Sequence, residues 1–154
     1  MTEKNLKALS TLLIFFLLDA TKPFAYSLAT EFTFLGVVLV CLNYPLKVSL
    51  FLAAIFGYAK DLSCIDQTSF SLLEFSAIAI LIHYFLRNFH RKAVKIMIFF
   101  GALIVHLTIN NFYINKAGYL FSLLFLIHSS IIFLLINRLF TEWISNGIKN
   151  DNVI

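Results

Sequence analysis

The chain has 154 residues, 60% of them hydrophobic and 13% charged, with a formal net charge of +4. A soluble domain of this size carries about a quarter charged residues, so there are too few here to cover a globule in water. Apolar runs with charges confined between them, and a mean hydropathy of +0.89, point to an integral membrane protein and against reading the positive charge as a nucleic-acid footprint.

A spanning helix needs about 20 mostly apolar residues, and in lipid every backbone polar group must be bonded within its own segment. Six such segments are predicted within one domain covering 1–154. The first runs from Leu6 to about Phe24 and is interrupted by Asp19 and Lys22. Lys4 and Lys7 before "LLIFFLL" resemble the front of a secretory signal, but "ATKPFAYSLA" (20–29) offers only loose cleavage candidates. A retained first span is therefore expected. The second segment is about 32–44 and the third 46–59. Tyr44-Pro45 separates them, because proline cannot continue a helix but suits the first turn of the next. The fourth is about 70–86, the fifth 93–109 and the sixth 118–140. Several of these cores are shorter than a full span, so flanking polar groups would have to reach the interface or the bilayer thin locally.

With the N-terminus inside, nine Lys and Arg fall on the inner side and three (Lys22, Lys60, Lys116) on the outer. This bias predicts an N-in, C-in arrangement. The cluster "RNFHRKAVK" (87–95) is the strongest anchor, and Asp61 and Asp66 then face outward. Cys41 and Cys64 form neither a disulfide framework nor a CxxC pair, and read as unpaired thiols.

Charges inside spans are expensive and usually face the bundle interior. On the third segment Ser49, Ala53, Gly57 and Asp61 recur every four residues and so share one helix face. Small residues let a neighbouring backbone approach closely. Asp61 then reads either as a solvated carboxylate at a helix end or as a group that bonds a neighbouring span or a partner. Glu31 and Glu74 lie at a similar level near the outer side. Both suit interfacial solvation or pairing with Lys22, Lys60 or Lys116. His106 and His128 lie roughly 12–15 Å into the fifth and sixth segments. Two histidines can ligate haem iron, but a satisfied polar side chain is the plainer reading, and no cofactor or metal is expected. "HSS" (128–130) and Asn137 read as polar contacts between helices. No HExxH, GxSxG, phosphate-binding glycine loop or cysteine cluster occurs, so no catalysis is expected. Two prolines and five glycines also leave few of the broken helices that transporters use.

The stretch "FLGVVLVCLNYPLKVSLFLAAIFGYAKDLSCIDQTSFSLLEFSAIAILIHYFL" (34–86) resembles the rod shape-determining MreD family. The order is an apolar span, a turn with Pro45, a small-residue span with Gly57, then Asp61-Leu62, a loop and another span. A basic R-x-x-x-R-K loop follows. The likeness extends over roughly 10–140 and is specific in 34–86. It implies a bacterial inner-membrane, non-enzymatic scaffold of cell-wall elongation, with a fold like the substrate-binding subunits of energy-coupling-factor transporters. The implied partners are MreC, RodA, a penicillin-binding transpeptidase and, indirectly, the MreB filament. Pro45, Gly57 and Asp61 would be structural or partner-contact positions. The alternative from another class is a substrate-binding subunit of a vitamin importer, with Asn110, Asn111, Tyr113 and Tyr119 lining a pocket. A haem-carrying electron-transfer subunit is the third reading.

Overall fold

The computed structural model describes residues 3–21, 31–63, 70–88, 92–114 and 119–150. They form six α-helices and no strand: α1 (Glu3–Thr21), α2 (Phe32–Asn43), α3 (Leu46–Ser63), α4 (Ser71–Asn88), α5 (Lys92–Ile114) and α6 (Tyr119–Asn150). The helix count and the break at Tyr44-Pro45 agree with the sequence reading. The helix ends differ from it. α3 and α6 run past the expected residues 59 and 140, and α5 past 109. Hydropathy marks where an apolar run stops, but Lys, Glu and Arg propagate a helix well. Among the described residues no helix is both long enough and apolar enough to cross a membrane.

α2 is the axis of the bundle and touches each of the other five helices. Its sequence FTFLGVVLVCLN carries no charge, and every residue from Thr33 to Leu42 is buried. A helix apolar on all sides belongs inside a core. At 12 residues it is only about 18 Å long. Its end is tied to the start of α3. Tyr44 N–H donates to Val40 O, and the Pro45 carbonyl accepts from Val48 N–H and Ser49 N–H at 3.0 Å. Ser49 Oγ donates back to Tyr44 O at 3.3 Å, and a His83 ring nitrogen meets the same carbonyl at 3.0 Å. Pro45 thus stands one residue before α3 and supplies its first acceptor. Cys41 is a free, buried cysteine; Cys64 lies outside the described residues.

The tightest approach is between α3 and α4. A Cβ on Gly57 would stand 2.6 Å from Ser71 O and 2.7 Å from Leu72 Cα. Both are backbone atoms and cannot swing aside. Ser49, Ala53 and Gly57 of the small-residue face are all buried. Gly36 on α2 is a softer case, since its Cβ would meet the ring of Phe15 at 2.6 Å and the end of Leu12 at 3.0 Å. Around this frame Phe99 of α5 stacks on Phe133 of α6, with ring centroids 3.6 Å apart.

The outside of the bundle is apolar as well. Leu13, Ile14 and Leu17 on α1 are exposed, as are Phe51, Ile55, Tyr58 and Leu62 on α3. So are Leu73, Ile80 and Tyr84 on α4, Met97 and Ile104 on α5, and Leu134, Leu135 and Leu139 on α6.

Gly57→Ala should destabilise the fold by about 1–3 kcal/mol, the usual range for overpacking. Gly101, whose Cβ would meet nothing within 4 Å, should gain about 0.5–1 kcal/mol on substitution by Ala through helix propensity. Thermal unfolding of the two purified variants checks the contrast.

Candidate functional site

Two helix starts are closed by carboxylates from the preceding helix. Asp61 sits two residues before the end of α3. Its Oδ1 accepts from Ser71 N–H at 2.9 Å and its Oδ2 from Leu72 N–H at 3.0 Å. These are the first two amides of α4, which have no partner within their own helix. Asp19 sits two residues before the end of α1 and does the same for α2. It accepts from Phe32 N–H at 2.8 Å and Thr33 N–H at 2.6 Å. A carboxylate also suits the positive end of a helix dipole. Glu31, the residue before α2, makes no side-chain cap of its own. Its carboxylate is left for another task.

That task is a partly buried cluster of four ionisable side chains from three helices and the residue before α2. Lys60 of α3 donates to Glu31 Oε1. Glu31 Oε2 lies 2.6 Å from His106 Nε2 of α5. His106 Nδ1 lies 2.5 Å from Glu74 Oε1 of α4. The side chains of Glu31 and Lys60 keep 26% and 17% of their surface, against 2% for His106 and 6% for Glu74. The cluster therefore opens on one side only. Phe34 of α2 stacks on the imidazole at 4.1 Å between centroids, and Phe125 of α6 leans on it at 5.7 Å. Lys60 also lies over the ring of Phe75 at 5.3 Å.

An ionised carboxylate only accepts, so an imidazole nitrogen hydrogen-bonded to one carries the hydrogen. The Nδ1 contact is a hydrogen bond, whereas Glu31 Oε2 is close to Nε2 without an aligned donor. The Glu31 side of the ring is the looser one.

The structure distributes the sequence-predicted residues as follows. Glu31, Glu74 and His106 come together, with Lys60 as the partner of Glu31. Ser49, Ala53, Gly57 and Asp61 face the chain's own helices, with Gly57 and Asp61 against α4. His128 is half-buried on α6, and its Nδ1 finds no hydrogen-bond partner. Among the described residues no group of three or more His, Cys, Asp or Glu is placed to hold a metal ion. Lys22, Asp66 and Lys116 lie outside the described residues, as do the side chains of Asn110, Asn111, Tyr113 and Tyr119. Sequence reasoning missed the roles of Asp19 and Gly36. The signal for Asp19 was present: "DAT" at 19–21 and "DLS" at 61–63 both place Asp two residues before a hydroxyl residue at a helix end. Thr21 and Ser63 each donate to the carbonyl four residues back. Comparisons of the chain with protein-family models, curated proteins and solved structures give no match.

Asp19→Ala and Asp61→Ala should each cost about 0.5–2 kcal/mol, as lost caps do. The double variant should cost close to the sum, since the caps share no partner. Glu74→Ala leaves a buried ring without its hydrogen-bonded acid and should cost about 3–5 kcal/mol. Glu142→Ala, which breaks an exposed pair with Arg138, should leave stability nearly unchanged. Denaturant titration of the five variants reads all of these.

Proposed function

We propose that the chain is a membrane-embedded, non-enzymatic helical scaffold of the bacterial cell-wall elongation machinery, in the inner membrane, N-in and C-in. It would dock MreC together with RodA and a penicillin-binding transpeptidase. The observation that carries the membrane part is the outward apolar surface on five of the six helices. A water-soluble monomer rarely exposes contiguous apolar patches beyond a few hundred Å², and lipid removes that penalty. α5 and α6, at 23 and 32 residues, have the length of a span. The scaffold part rests on the resemblance over 34–86. The hairpin of that stretch is where Pro45, Gly57 and Asp61 each have a definite structural task.

Both oxygens of Asp61 are used inside the chain, and Gly57 is covered by α4. Partner docking therefore belongs on the opposite face of α3, where Phe51, Ile55, Tyr58 and Leu62 form an exposed ridge. In lipid, association of helices depends on shape and dispersion contacts rather than on the hydrophobic effect. A ridge with two aromatic side chains offers such a surface.

Gentle affinity purification from native membranes, with mass spectrometry of proteins and small molecules, tests the reading. Recovery of MreC or the elongation synthases supports it. Recovery of an ATP-binding transporter module or a stoichiometric vitamin would replace it with the importer reading. Phe51→Ala with Tyr58→Ala should reduce recovered MreC about tenfold, equivalent to about 1.4 kcal/mol, while the protein still inserts and folds.

A further inference from the structure

We infer that the chain imposes a locally thinned bilayer on its surroundings, so that the lipid it fits best is a short-chain phospholipid. The inference rests on the membrane part of the reading above and not on its partners.

The polar groups of the bundle fall in two layers. The outer layer is joined by Asp19 on the first amides of α2, Lys60 on Glu31, Asp61 on the first amides of α4, and Glu74 against His106. The inner layer holds Asn43, whose Oδ1 accepts from Lys95 Nζ at 3.4 Å, and Tyr44, whose carbonyl meets the His83 ring. Lys7 of α1 lies over Trp143 of α6, and Tyr44 packs near Phe140 at this end. The spacing between the layers repeats from helix to helix. It is 12 residues from Lys7 to Asp19 on α1, and 12 from Glu31 to Asn43 along α2. It is 13 from Lys47 to Lys60 on α3, 13 from Glu74 to Arg87 on α4, and 11 from Lys95 to His106 on α5. α6 brings Phe125 onto the His106 ring and carries Arg138 13 residues later. At 1.5 Å per residue these spacings are about 16–20 Å, against about 30 Å for the hydrocarbon of an ordinary bilayer.

Helix ends mark the same outer level. α1 ends at Thr21 and α3 at Ser63, while α2 begins at Phe32 and α4 at Ser71. Terminal backbone groups need partners that hydrocarbon cannot supply, so water has to come close to this layer. The same shortness is why, among the described residues, no helix is long and apolar enough for a full span. A short apolar belt is met by polar side chains reaching to the interface, by self-association or by thinning of the lipid. The outer charges are not free to reach outward. Asp19 and Asp61 each hold two amides, Lys60 is held by Glu31, and Glu74 by His106. Tilting a short helix only lowers its height. Lipid chains beside the exposed Phe51, Ile55 and Tyr58 of α3 and Ile80 and Tyr84 of α4 therefore adapt to the protein.

The test uses the full chain reconstituted in phosphatidylcholine vesicles whose monounsaturated chains run from about 14 to about 22 carbons, a series that varies hydrocarbon thickness. Flotation first reports whether the chain enters the vesicles. The thermal unfolding midpoint should then be highest in the shortest lipid and fall by about 5 °C or more across the series. Deuterium NMR of labelled lipid chains reads the bilayer itself. Added protein should lower chain order in the lipid of medium length and leave it unchanged in the shortest. A midpoint that is highest in the medium or long lipid overturns the inference and leaves the membrane reading intact. So does a chain order that added protein does not lower in the medium lipid. Self-association that rises with chain length while lipid order stays constant assigns the mismatch to a second copy of the chain, and also overturns it. A chain that floats with none of the vesicles overturns the inference and the membrane reading together.

Discussion

The backbone contact at Gly57 governs the rest of the arrangement. With no side chain there, α4 begins directly against α3, its first two residues within 3 Å of where a Cβ would stand. This approach brings two unpaired amides next to the helix surface, and Asp61, one turn further along, accepts from both. Because Asp61 faces α4, Lys60 is rotated by about 100° around the helix axis and faces the start of α2, where it meets Glu31. Glu31 is available because Asp19 has already closed α2. The polar cluster is therefore a consequence of two helix caps. Their placement follows from the position of the close contact.

Burying four ionisable groups is costly, and attraction among them often does no more than offset their desolvation. Here the cost is limited in two ways. Glu31 and Lys60 keep some contact with solvent, and Phe34, Phe75 and Phe125 pack around the ring and the ammonium. What such a set adds is specificity of arrangement. An apolar contact tolerates sliding of one helix along another, whereas a ring held between two carboxylates has one register.

Much of the fold was legible in the sequence. Six apolar runs gave six helices, and Tyr44-Pro45 gave the sharp break, because proline chemistry is local. The four-residue recurrence of Ser49, Ala53, Gly57 and Asp61 marked a close-packing face, because helix periodicity is regular. The identity of the neighbour was not legible, since spacing along one helix says nothing of which other helix lies opposite. The meeting of Glu31, Glu74 and His106 was hidden for the same reason. These residues come from two helices and the residue that precedes a third, and only their depth could be estimated. Asp19 read as an interruption of an apolar run, because a carboxylate that caps another helix looks the same in sequence as one that faces water.

The polar contacts also differ in how far apart their partners lie along the chain. Asp61 reaches residues 10 and 11 positions ahead, and Asp19 reaches residues 13 and 14 ahead. The ring of His106 is 32 positions from Glu74. A chain made from its N-terminus has all the residues for both caps once Leu72 has emerged, while α5 does not yet exist. Two closed hairpins, α1–α2 and α3–α4, can thus be complete as the ribosome continues. For that interval Glu31 has Lys60 within reach, but Glu74 has no imidazole. The arrival of His106 supplies the last missing group, and the order of synthesis runs in the same direction as the order of dependence in the finished molecule.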